Sequence, residues 1–175
     1  MAELINAKRV KELRDITGAG MMSCKKALIE AGNDFEKAVK KLQMNYELIA
    51  EKKLNKSVNE GVIESYIHTG NTLGVLIELN CETDFVSKKS EFKKLAKDIA
   101  MQIASYPEVK VAYSSDVSKK ISDNDAKLVI LLKQNYIKDP SVTVAQLIQK
   151  HVALFGENIK IAQFIRYKLG ESLTE

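Results

Sequence analysis

The sequence predicts an α+β protein, with an N-terminal three-helix bundle followed by a small antiparallel sheet packed with helices. Three observations predict it. Short helical patterns with capping residues fill residues 1–50, and a polar, lysine-rich stretch, AEKKLNKSVNEG (Ala50 to Gly61), follows them. Two β-branched runs, VIESYIH and TLGVLIELNCE, are then joined by TGNT, which is a hairpin signal. An amphipathic helix and a closing alternating run complete a pattern in which helices cover one face of the sheet. The expected division is a helical module over 1–50, a linker over 51–60 and an α+β core over 61–175.

Asn6 can cap a first helix, in which Val10, Leu13 and Ile16 recur at helical spacing until TGAG (Thr17 to Gly20) ends it. A second helix, from about Met22 to Ala31, turns Met22, Ala27 and Leu28 inward and stops at Gly32. Asp34 caps a third, with Phe35, Ala38, Val39 and Leu42 on its apolar face. A bundle this small is near the lower limit for independent folding.

In the second β run, Leu73, Val75, Ile77 and Leu79 alternate with Gly74, Leu76, Glu78 and Asn80, so one face is apolar. SEFKKLAKDIAMQIASY is the clearest helix: Ser90 can cap it, Phe92, Leu95, Ala96, Ile99, Ile103 and Ala104 share a face, and Pro107 marks its end. VKVAY (Val109 to Tyr113) fits a short edge strand, AKLVILLKQNYI (Ala126 to Ile137) a helix, and DPSVT a turn. Thr143 caps VAQLIQKHVALF, Gly156 ends it, and NIKIAQFIRYKL closes the chain as a third strand.

Composition narrows the function. The formal charge is +4, and the whole excess lies before Ser57, with 12 Lys/Arg against 8 Asp/Glu. A surplus so small and mixed is a poor nucleic-acid signal and suits an acidic patch on a protein partner equally well. Most lysine pairs, Lys119–Lys120 among them, read as solvated faces. No apolar run approaches a membrane span. The start, MAELINAKRV, resembles neither a secretory leader nor a transit peptide. Cys24 and Cys81 are expected as plain thiols without zinc-ligand spacing.

Catalytic motifs are missing. There is no GxxxxGK[ST] phosphate cradle and no GxGxxG fingerprint, and TGAG reads as a helix cap and turn. Cys81 with His68 as base, and Glu82 with Asp84 as a magnesium or acid–base pair, are the only candidates for chemistry. A strand-end histidine and a solvated corner are the plainer readings. No cofactor or metal is expected. Two stretches stand out as contact surfaces instead. GAGMM sets two methionines after a glycine turn, of which one faces outward. NCETDFVSKK sets Phe85 at a strand-to-helix corner, and alternation alone leaves its direction open.

These stretches carry a resemblance. VKELRDITGAGMMSCKKALIEAGNDFEKAVKKL resembles the N-terminal module of the elongation factor Ts family. YIHTGNTLGVLIELNCETDFVSKKSEFKKLAKDIAMQIA resembles the start of its core, and FGENIKIAQFIRYKLGE its closing strand. The resemblance implies a ubiquitin-associated-like helical module, a dimerisation-type core, and a guanine-nucleotide exchange factor for elongation factor Tu without covalent chemistry. It implies that Leu13, Met21 and Met22 dock on the GTPase domain. Thr83, Asp84, Phe85 and Val86 would wedge near its magnesium site. Many members carry two related core halves; this chain has one, and is short between about Ser118 and Leu128, so a homodimer supplying the second half is expected. An RNA- or ribosome-binding module is the alternative. The Lys/Asn/Ile bias fits a plastid-encoded protein in the chloroplast stroma or a bacterial cytoplasmic one.

Overall fold

Asn6 opens the first helix, its side chain accepting the Lys8 N–H at 2.9 Å. The computed structural model describes residues 6–116 and 122–171 of the 175-residue chain. The Lys119–Lys120 pair and the first part of the shortened segment from Ser118 lie outside the described residues.

Helices α1 (Ala7–Thr17), α2 (Met21–Glu30) and α3 (Phe35–Lys53) form the N-terminal bundle around Val10, Leu13, Cys24, Ala27, Leu28, Ala38, Leu42 and Tyr46. Gly18, with φ 71°, ends α1 in a conformation that costs a glycine little. The inward stripe of α1 runs through Val10, Leu13 and Thr17, and Ile16 faces out. Thr17 takes the inward position because its hydroxyl donates to the Leu13 carbonyl at 2.6 Å, which satisfies it within the bundle. Cys24 fills the place in α2 expected of Met22. Helix α3 continues to Lys53, past the polar boundary at Ala50, because α3 packs along α7 (Val144–Phe155).

Strands β1 (Glu60–Ile67), β2 (Leu73–Cys81) and β5 (Ile159–Lys168) make an antiparallel sheet in the order β1-β2-β5. Val75, Ile77, Leu79 and Cys81 point from β2 into the core, as alternation requires. They meet Phe92, Leu95, Ala96, Ile99 and Ile103 of helix α5 (Ser90–Ser105). Lys89 occupies the cap position of α5. Ser90, expected there, is the first helical residue, and its hydroxyl donates to Glu91 Oε2 at 3.1 Å.

The stretch after α5 departs from expectation. Val109 to Tyr113 forms one bridge, Val111 with Ile130, and no strand. Ala126 to Ile137 is not one helix: α6 (Asp123–Val129) ends before a 3-10 turn (Leu131–Lys133), and β3 (Asn135–Tyr136) pairs with β4 (Asp139–Thr143), the segment expected as a turn. The cause is Gln102 of α5. Its fully buried amide donates to Gln134 Oε1 and to the Asn135 carbonyl, both at 3.0 Å, and accepts the Ile137 N–H at 2.8 Å. A buried amide must be satisfied, and these partners are available only from an extended backbone.

Strand β5 carries a bulge. Leu79 pairs with Ile161 and Glu78 with Gln163, so Ala162 is the extra residue. Ile159 and Ile161 therefore face the core, while Ile165 and Tyr167 emerge on the outer face.

Candidate partner-binding site

Phe85 lies in a single helical turn, α4 (Asp84–Ser87), between β2 and α5. The Thr83 carbonyl accepts the N–H groups of Val86 and Ser87 at 3.2 and 3.3 Å and the Cys81 thiol at 3.2 Å. The Asp84 carbonyl accepts the Lys88 N–H at 3.1 Å and the Ser87 hydroxyl at 3.2 Å. The turn is thus bonded within itself. Val86 is buried at 3 % exposure and anchors the turn in the core, which leaves Phe85 on the opposite side, 80 % exposed. A lone exposed apolar residue is ordinary. A phenylalanine turned outward by a bonded corner forgoes about 1.5–3 kcal/mol of burial.

Asp84 stands beside Phe85 and pairs with the Lys88 ammonium at 2.6 Å. That hydrogen bond holds its carboxyl below the usual range. Glu82 turns elsewhere: it accepts the Asn158 N–H at 2.7 Å and lies 3.9 Å from Lys53 Nζ. The two carboxylates are therefore not a joint cation site, and among the described residues no group of three His, Cys, Asp or Glu side chains could hold a metal.

Cys81 and His68 do not meet. In the β1–β2 register Cys81 lies opposite Glu60 and Ile67 opposite Gly74, so the histidine and thiol are on the order of 20 Å apart along the hairpin. His68 Nδ1 bonds the Tyr66 hydroxyl at 2.9 Å. Burial pushes the Cys81 thiol up to about 11, the wrong direction for a nucleophile. Both cysteines are buried free thiols.

On the helical module Met21 and Met22 both face solvent at the start of α2, Met22 at 76 % exposure. Leu13 is fully buried in the core of the bundle and is not part of the exposed surface. Ile16, which shares the helical spacing of Val10 and Leu13, is 66 % exposed and lies beside Val39, Val142 and Leu147 instead of in the bundle core. The elements that carry the methionines and Phe85 are anchored in different hydrophobic clusters, α2 through Cys24, Ala27 and Leu28 and the α4 turn through Val86.

Two residues of the corner lie in the FGENIK stretch, where sequence reasoning gave them no role. Glu157 accepts the Thr83 N–H at 3.0 Å and the Thr83 hydroxyl at 2.5 Å. Asn158 is buried, and its Nδ2 donates to the carbonyls of Leu54 at 3.2 Å and Lys56 at 2.9 Å, just past α3. The single clue was Gly156: a left-handed helix end, φ 73°, followed at once by polar residues that must turn back on the fold.

Comparison with known proteins gives one family. The family model described as Elongation factor TS matches residues 2–129. "Elongation factor Ts, chloroplastic" of Phaeodactylum tricornutum is 44% identical over 196 aligned positions, covering 95% of this chain and 97% of the relative. The chloroplastic protein of the same name from Guillardia theta is 45% identical, covering 97% and 90%. "Elongation factor Ts" of Rippkaea orientalis is 43% identical, covering 99% and 81%. The alignment to the Phaeodactylum protein runs over more positions than the 175 residues of this chain, so that relative has additional residues within the matched span.

Proposed function

The chain belongs to the elongation factor Ts family, a family of translation elongation factors, and from that premise we propose that it accelerates GDP release from elongation factor Tu. The observation that carries the proposal is Phe85, held outward at the tip of a turn anchored by Val86. GDP is bound by a GTPase partly through Mg²⁺ and partly through a phosphate loop. An aromatic ring pushed between the elements that hold the metal weakens both. In this reading Asp84 and Phe85 are the tip of the wedge, Thr83 and Val86 its base, and no covalent step occurs. The helical module of residues 1–50 binds the GTPase domain through Met21 and Met22, with Leu13 holding the bundle that presents them, and the core of residues 61–175 brings the wedge. The chain binds the nucleotide-free partner more tightly than the GDP-bound one, and linkage makes that preference reciprocal.

The proposal includes self-association. The outer face of the sheet, away from α5, carries rows of paired residues. Ile67, Gly74 and Tyr167 form one, and Ser65, Leu76 and Ile165 the next. Ile67, Leu76, Ile165 and Tyr167 are exposed. A second copy stacking its own sheet here would cover them and supply a second core half. The relatives come from chloroplasts and from bacteria such as Rippkaea orientalis, in keeping with a plastid or bacterial cytoplasmic setting.

The test is release of a fluorescent GDP analogue from purified elongation factor Tu. Catalytic amounts of the chain are expected to speed release. An unchanged rate at saturating chain refutes the proposal.

A further inference from the structure

We propose that Glu157 and Asn158, in the turn between α7 and β5, are positioning residues: Glu157 sets the pose of the Phe85 turn, and Asn158 couples that turn to the end of α3. The two contact surfaces then meet one partner in a set relation. The inference rests on the exchange reading above and adds to it the residues that aim the wedge.

Thr83 is the first argument. It holds the cap position of α4, where a threonine hydroxyl ordinarily accepts a backbone N–H of the first turn. Here its side chain makes no capping bond. The hydroxyl donates instead to Glu157 Oε1 at 2.5 Å, while the Thr83 N–H donates to Oε2 at 3.0 Å. One carboxylate taking two donors from one residue fixes both the distance and the angle of that residue. A local cap would have stabilised α4 equally well without fixing it to a segment 74 positions away.

Asn158 is the second. Its backbone N–H donates to Glu82, the residue before Thr83, at 2.7 Å. Its side chain donates to the carbonyls of Leu54 and Lys56, which follow α3. One buried residue thereby joins the approach to the wedge to the chain leaving the helical module.

Phe155 is the third. Its ring meets Phe92 edge-on at 6.1 Å, and the Lys89 ammonium lies 5.4 Å from its centroid. Lys89 is the second of the two residues between α4 and α5. The turn from Phe155 to Asn158 therefore contacts the segment on both sides of Phe85. Gly156 permits the reversal between Phe155 and Glu157 through its positive φ of 73°.

The experiment measures GDP release from elongation factor Tu against concentration of the full chain, with thermal melting as a control. Glu157→Ala and Thr83→Val are each expected to lower the saturating rate at least ~5-fold, with the half-saturating concentration and melting temperature nearly unchanged. The double variant is expected to be no slower than either single one, because the two residues form one interaction. Glu157→Gln retains an oxygen that accepts the Thr83 N–H, and is expected to recover much of the rate. Asn158→Asp keeps the shape and removes both side-chain donors; it is expected to raise the half-saturating concentration about tenfold and spare the saturating rate. Should that variant fail to fold, Glu82→Ala, which removes the acceptor of the Asn158 N–H, is expected to show the same rise. Wild-type rates in Glu157→Ala and Thr83→Val overturn the inference and leave the exchange reading standing. So does a rate loss that merely follows the melting temperature. A wild-type chain that does not speed release overturns both.

Discussion

Phe85 and Val86 are neighbours in one helical turn and face opposite ways, the first 80 % exposed and the second buried among Cys81, Phe92 and the rest of the sheet-and-helix core. The pair separates function from stability within two residues. Phe85→Ala removes a ring that touches little of the fold. It is expected to leave the circular dichroism spectrum and melting temperature unchanged and to slow catalysed GDP release strongly. Val86→Ala removes buried methyl groups and is expected to cost about 2 kcal/mol in urea unfolding. If Phe85→Ala unfolds the chain, the ring is core and the wedge is misplaced.

The helical module offers the same contrast. Met22 is exposed at the start of α2, and Leu13 is buried in the bundle core. Met22→Ala is expected to weaken binding to elongation factor Tu by up to tenfold in titration calorimetry without moving the melting transition. Leu13→Ala creates a cavity in a small bundle and is expected to cost about 2–5 kcal/mol. A Leu13→Ala chain that melts like wild type while losing affinity would put Leu13 in the contact surface itself.

Acid sensitivity follows from His151 on α7. Burial lowers its pKa below 6.5, against an opposing hydrogen bond at 2.8 Å between its Nδ1 and the Leu147 carbonyl. The unfolded chain then takes up the proton first as pH falls. The stability tied to neutral His151 is present above the unfolded pKa and is lost as pH falls through the folded one. The urea midpoint is expected to drop between about pH 7.5 and about pH 5.5, with a smaller drop in His151→Gln. Equal drops would assign the sensitivity to other groups.

What could be read from the sequence was what repeats within one element. The alternation of Val75, Ile77 and Leu79, the stripe from Phe92 to Ile103, and the caps Asn6, Asp34 and Thr143 are local, and the structure has them. The failures were set by partners distant in sequence. Gln102 pulls Asn135 and Ile137 out of a helical pattern from 33 and 35 residues away. Ala162 reverses the facing of β5 by a bulge that no alternation announces. At the site, Phe85 was visible as an oddity, but its direction depended on Val86 being anchored. Glu157 and Asn158 look like surface residues until Thr83 and Leu54 are brought to them.

That bulge carries the last prediction. Without Ala162, Ile165 and Tyr167 would point into the core; with it, they join Leu76 and Ile67 on a face where all four stay exposed among the described residues. Leu76 is central, flanked by Ser65 on β1 and Ile165 on β5. A lysine there would bring a charge into the middle of a stacked pair of sheets, where losing its water costs several kcal/mol per ion. On a free surface the same lysine costs little, because the position is solvated. Light scattering of the wild-type chain is therefore expected to give twice the 19.6 kDa chain mass, and Leu76→Lys the single mass with an unchanged far-ultraviolet spectrum. A wild-type monomer that still exchanges GDP would remove the second copy from the mechanism and leave this face to a different partner.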